Sequence, residues 1–119
     1  MKKRTRFDGT EMTIFERISK LSSGKDSSYS EGVLHKICMN LGTHYAFFFL
    51  LQVDELGLYG QRMYNLYEAC DYDLTKTAKA VIGLHDLLRE GVISQNDVIA
   101  VKEAGEFIKL LSAIPNNEQ

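Results

Sequence analysis

The chain has 119 residues, of which 45% are hydrophobic, 25% are charged and one is proline. This length suits one compact domain, because a second hydrophobic core would have too little material. The net charge of −2 excludes a uniformly basic nucleic-acid binder. The most apolar stretch, residues 45–53, is much shorter than the roughly 20 residues needed to cross a bilayer, so we expect no membrane span.

The charge is unevenly distributed along the chain. Residues 1–25 carry a net charge of +4 and the remainder carries −6, so the two parts present opposite fields to a partner. We expect residues 1–10 to form a basic N-terminal arm that contacts an acidic protein surface or a phosphate backbone; the alternative is a solvated terminus. The candidate nucleic-acid-binding residues of this arm are Lys2, Lys3, Arg4 and Arg6.

The expected cellular location follows from the N-terminus and the cysteines. The basic start is not followed by the apolar segment of a secretory signal. Two cysteines, Cys38 and Cys70, are too few for a disulfide framework, and their helical, partly apolar contexts predict buried thiols. We therefore expect a cytoplasmic protein.

The spacing of apolar residues predicts an all-α fold, a compact bundle of four to five helices in a single domain over residues 11–119. The first helix is predicted over residues 11–21, and the Ser-rich segment 22–29 is typical of a flexible linker. A second helix is predicted over residues 30–57, with a break or kink at Gly42.

Turn and capping residues delimit the next two helices. The third helix is predicted over residues 59–70, and the fourth runs from a cap at Asp73 or Thr75 to about residue 90, with Gly91 just after its last turn. The apolar stripe of the fourth helix is predicted to comprise Leu74, Ala78, Val81, Ile82, Leu84 and Leu88.

The last predicted helix is one continuous element that begins after Ser94. Ser94 is a good N-cap, and Asp97 three residues later forms a near-capping box. Its apolar positions are Val98, Val101, Ala104 or Gly105, Ile108 and Leu111. This pattern predicts that Ile108 faces the core.

The strongest candidate metal site combines Glu31, His35 and Cys38, which lie at i, i+4 and i+7 on one helical face, with His44 beyond the glycine. Zinc binds carboxylate, imidazole and thiolate ligands. No Cys-x-x-Cys or His-x3-His pair accompanies this set, and Cys38 also belongs to an apolar stripe. We therefore favour a core cysteine beside a surface histidine, and we predict no metal and no cofactor.

Candidate catalytic groups are sparse. We interpret His85 as a histidine at the edge of the core, and its alternative role is a catalytic pair with Cys70. Glu68, Asp71 and Asp73 would raise the pKa of Cys70, and we interpret them as caps, with a partner-facing acidic patch as the alternative. Because phosphate-binding glycine loops and nucleophile motifs are missing, we assign no catalytic residue and predict that the chain is not an enzyme.

The segment over residues 66–90 contains a further pattern. Thr77-Ala78 and the turn-like Gly83-Leu84 give it a resemblance to the helix-turn-helix of Fis-type DNA-binding domains, which implies a DNA-binding regulator that uses this segment and the basic arm. The alternative, which we favour, is one continuous helix over residues 74–90, because residues 85–90 place two acids against one arginine where a recognition helix would begin.

Aromatic residues give the main functional hypothesis. Phe47, Phe48 and Phe49 are consecutive, so they cannot all face one core, and aromatic side chains are frequent interface anchors. We predict a non-enzymatic helical regulatory or interaction protein that binds a macromolecular partner as an inhibitor, adaptor or assembly factor, a profile that a phage or mobile-element protein would fit. A protein partner is favoured, with a homodimer as one form of it; a DNA-binding regulator is the first alternative and a small metal-binding protein or enzyme the second. The candidate partner-binding residues are Phe47, Phe48, Leu51, Tyr64, Tyr67 and Tyr72.

Overall fold

A computed structural model describes residues 27–58 and 60–115 of the chain. These residues form the five helices α1 (Ser27–Leu56), α2 (Gln61–Ala69), α3 (Leu74–Glu90), α4 (Gln95–Ile99) and α5 (Ala104–Leu111). Neither of the two ranges contains a β-strand. The all-α prediction is therefore confirmed for the described part of the chain.

The longest helix, α1, bends at Gly42, where φ is 82° and ψ is 168°. This backbone conformation is essentially restricted to glycine, and the predicted kink is confirmed. Both halves of the helix bury one face in the core. The buried residues are Val33, Leu34, Ile37 and Cys38 before the bend, and Ala46, Phe49, Leu50, Val53 and Leu56 after it.

Helix α3 begins and ends where the sequence predicts. The Asp73 side chain accepts a hydrogen bond from the backbone N–H of Lys76 at 2.9 Å. Gly91 adopts a left-handed conformation with φ of 81° and closes the helix. The assignment of Ile82 to the buried stripe is wrong, because Val81 occupies the core-facing side and Ile82 is 37% exposed.

The prediction of one continuous last helix is also wrong, because α4 and α5 are separated by extended backbone at Glu103. The Glu106 carboxylate accepts a hydrogen bond from the backbone N–H of Lys102, the residue just before the N-cap Glu103 of α5. The interruption changes the helical register. As a result, Phe107 is fully buried and Ile108 is 55% exposed.

The cap of α4 is confirmed as a complete capping box. The Asp97 backbone N–H donates to Ser94 Oγ at 3.2 Å, and the Ser94 backbone N–H donates to Asp97 Oδ2 at 2.7 Å. Each bond satisfies a backbone donor that the first turn of a helix leaves unpaired. The side chains of Ser94 and Asp97 therefore fix where the short helix α4 begins.

The helices share one hydrophobic core, and α1 packs most extensively against α3 and α2. The C-terminal end of the described chain also lies against α3. A Cβ atom added at Gly83 would lie 2.8 Å from Ile114 Cδ1, so glycine permits this close approach.

Several predictions fall on residues that the structure does not describe. They are the basic arm at 1–10, the helix at 11–21 and the first part of the linker at 22–26. Residues 27–29, also assigned to the linker, belong to α1 instead. Across 27–58 and 60–115, no helix combines the length and the apolar character needed to cross a membrane.

Candidate interaction surface

The second half of α1 carries large apolar side chains on its outer side. Phe47, Phe48 and Leu51 are 39%, 50% and 42% exposed, whereas Phe49 between them is fully buried. These three exposed residues are called the outer α1 face below. Because successive helical residues point 100° apart, the inner side takes Phe49 and Leu50 and leaves Phe48 and Leu51, which flank this pair, outside. The helix is thus apolar on two opposite sides.

Polar residues bound the outer α1 face at both ends. His44 lies one turn before Phe48 and is exposed, and Glu55 lies one turn after Leu51 with a side chain that is 64% exposed. The Glu55 Oε1 atom contacts His85 Nε2 of α3 at 2.9 Å. The apolar strip is therefore short and has a polar residue at each end.

The contact with Glu55 also explains the position of His85. Its side chain is only 13% exposed, and its Nδ1 lies 3.4 Å from Arg89 Nη1. Arg89 in turn donates to Asp86 Oδ1 at 2.7 Å. This arrangement places His85 at the edge of the core, as the sequence suggested, and links the end of α1 to α3.

The three candidate tyrosines form a separate group, the tyrosine cluster, around the C-terminal end of α2. The ring centroids of Tyr67 and Tyr72 lie 5.4 Å apart with an interplanar angle of 89°, and those of Tyr64 and Tyr67 lie 6.1 Å apart at 65°. Edge-to-face packing of this kind is favourable for aromatic rings. The structure therefore brings these residues together, on an element different from the outer α1 face.

An unusual turn positions the third ring of the cluster. Asp71 and Tyr72 both adopt left-handed conformations, with φ of 60° and 59°, which cost non-glycine residues free energy. The Tyr72 backbone N–H donates to the Tyr67 carbonyl at 2.9 Å, so the chain folds back onto α2. Partial burial raises the pKa of Tyr72, and the neighbouring Glu68 raises it further.

The cysteines lie inside the fold. Cys38 and Cys70 are both buried and unpaired, and burial raises the pKa of the Cys38 thiol to about 11. Burial also raises the pKa of Cys70, and the charges of Asp71 and Asp73 add to this shift. A raised pKa lowers the thiolate fraction and with it the reactivity of the sulfur.

The candidate metal set is not assembled within the part of the chain that is described. Cys38 belongs to the hydrophobic core, whereas His35 and His44 are exposed. The side chain of Glu31 lies outside the described part of the chain, and among the side chains that are described no three of His, Cys, Asp or Glu come together as a group that could hold a metal ion.

Residues 66–90 do not contain the second turn that a helix-turn-helix requires. Helix α3 runs without interruption from Leu74 to Glu90, so it passes through Gly83 and no recognition helix begins at His85. The continuous helix that the sequence favours is confirmed. The candidate nucleic-acid-binding residues Lys2, Lys3, Arg4 and Arg6 lie outside the described residues.

Sequence reasoning missed the polar ends of the outer α1 face. His44, Phe48, Leu51 and Glu55 are spaced by four, three and four residues, which is the a/d spacing of a helix-pairing seam. This signal is visible in the sequence, but the inner residues of α1 give an equally apolar pattern that conceals it.

Comparison of the chain with protein-family models, with curated proteins and with solved structures found no match.

Proposed function

We propose that this chain is a non-enzymatic helical interaction protein that binds a macromolecular partner, most simply a protein. The observation that carries the proposal is the outer α1 face, where two phenylalanines and a leucine are between 39% and 50% exposed. Single exposed apolar residues are ordinary on protein surfaces, but a contiguous group of large ones on a rigid element marks an interaction site.

The mechanism of such a protein is occlusion or scaffolding. The side chains of Phe47, Phe48 and Leu51 would supply affinity by leaving water, and the flanking polar groups would set orientation. The tyrosine cluster offers a second contact region, in which Tyr72 is 52% exposed and lies beside acidic residues. The rings of the tyrosine cluster pack against one another, so they lose little conformational freedom when a partner binds.

The proposal is tested by affinity capture from the native cell with two matched baits. Phe48→Asp places a charge within the outer α1 face, and Val92→Asp places the same charge at a residue that is 58% exposed outside that face. We expect a specific partner to be retained by wild type and by Val92→Asp and to be lost with Phe48→Asp. Equal recovery of that partner by all three baits would contradict the proposed binding face.

A further inference from the structure

We infer that the partner of the outer α1 face is a second copy of this chain, docked with its own α1 antiparallel across a two-fold axis. This inference rests on the proposed function, because it names the occupant of the same face. Its basis is the order of four outward residues, His44, Phe48, Leu51 and Glu55, which is self-complementary when it is reversed. We call these four residues the α1 seam.

The spacing of the α1 seam matches helix pairing. Steps of four, three and four residues keep all four positions on one side of a helix over about 17 Å, given a rise of 1.5 Å per residue. In a two-fold interface, if one residue contacts a second, that second residue contacts the first in return. An antiparallel axis midway between Phe48 and Leu51 brings each of them against the other in the neighbouring copy.

The same two-fold rotation also pairs the polar residues at the two ends of the α1 seam. His44 of one copy then faces Glu55 of the other, twice in each dimer. The Glu55 side chain is 64% exposed despite its contact with His85, so it can accept a further hydrogen bond. A parallel arrangement would instead place each histidine against a histidine and each glutamate against a glutamate. The antiparallel orientation is favoured because it sets a histidine against a carboxylate that can accept its hydrogen bond and avoids repulsion between the two glutamates.

Two more exposed aromatic side chains flank the α1 seam. Tyr45 is 69% exposed and Phe47 is 39% exposed, and the helical repeat of 100° per residue sets them on opposite sides of the seam. A half-exposed phenylalanine offers on the order of 100 Å², so the whole face is smaller than the roughly 800 Å² per partner of a standard stable complex. We therefore expect a weak dimer, in the micromolar range.

Exchanging charged residues between the two copies tests the antiparallel pairing directly. Sedimentation equilibrium of the full chain measures how strongly each variant dimerises. His44→Asp sets aspartate against Glu55 of the neighbouring copy, and Glu55→Lys sets lysine against His44. We expect each variant alone to dimerise about tenfold more weakly than wild type, because the two-fold axis repeats the unfavourable contact. An equimolar mixture should regain wild-type association, since the introduced aspartate then meets the introduced lysine and the native pair is kept at the other end.

Two controls separate association from folding. Circular dichroism establishes that both variants remain helical, and Ile108→Asp, at a residue that is 55% exposed on α5, should dimerise as wild type does. A wild-type chain that stays monomeric, or a mixture that associates no better than the single variants, overturns the antiparallel pairing. If the chain is monomeric but Phe48→Asp still loses a captured protein, the proposed function stands and only the second copy is wrong.

Discussion

Adjacent phenylalanines on α1 allow core and surface roles to be separated with one type of substitution. Phe49 is fully buried and Phe48 is 50% exposed. We expect Phe49→Ala to lower the free energy of unfolding by about 3–5 kcal/mol, because it loses apolar burial and leaves a cavity. A domain of this size has about 5–15 kcal/mol in total, so this variant loses a large share of its stability.

The expected cost of Phe48→Ala is much smaller. Burying a phenylalanine completely contributes roughly 1.5–3 kcal/mol, and half of this side chain is already in water, so the loss should be about 1 kcal/mol. No cavity contribution is added, since solvent fills the space. The same variant should nevertheless weaken binding through the outer α1 face.

Urea denaturation followed by far-UV circular dichroism measures both variants. The protein concentration must be low enough that self-association contributes nothing to the apparent stability. Similar losses for the two variants would refute the assignment of opposite sides, as would a Phe48→Ala variant that loses more than about 2 kcal/mol, which exceeds the partial burial of this residue.

Four further variants test the backbone, a cap and a thiol. Gly42→Ala should destabilise the fold by about 1–3 kcal/mol, whereas Gly105→Ala, in open space on α5, should stabilise it by up to about 1 kcal/mol; chemical denaturation compares them. Ser94→Ala should cost about 1 kcal/mol because it removes the cap of α4, seen as a lower midpoint in urea. Because the pKa of Cys38 is raised to about 11 from 9.0, the folded state holds the proton more tightly, so stability should fall between about pH 9 and 11 by up to about 2–3 kcal/mol. Cys38→Ala should flatten that part of the pH profile in the same assay, and an unchanged profile would contradict the assigned shift.

Local signals made much of the fold predictable. Gly91 and Asp73 delimit α3 through backbone geometry and a side-chain hydrogen bond that depend only on neighbouring residues. Gly42 interrupts α1 because it adopts a backbone conformation with positive φ that other residues rarely adopt. The separation of α4 from α5 was not predictable from periodicity, which assumes one unbroken helix. Val101 and Phe107 are both buried, but an extended segment lies between them in the chain.

The candidate site was predictable in composition but not in arrangement. The tyrosine cluster depends on a left-handed Tyr72, a conformation that sequence rules assign mainly to glycine and asparagine. The outer α1 face depends on which side of an apolar helix enters the core, and Phe47 and Phe49 are chemically identical. The identity of the two phenylalanines therefore does not say which of them packs against α2 and α3.

The polar ends of α1 supply the physical reason for that choice. If the outer α1 face entered the core, Glu55 would enter with it, and a buried carboxylate is costly without full pairing. The inner side instead continues into Leu56 and Leu58, which are fully buried, so it extends the core without burying a charge. The position of Glu55 therefore keeps Phe48 and Leu51 in solvent. In the proposed dimer the same carboxylate would choose the orientation of the second copy.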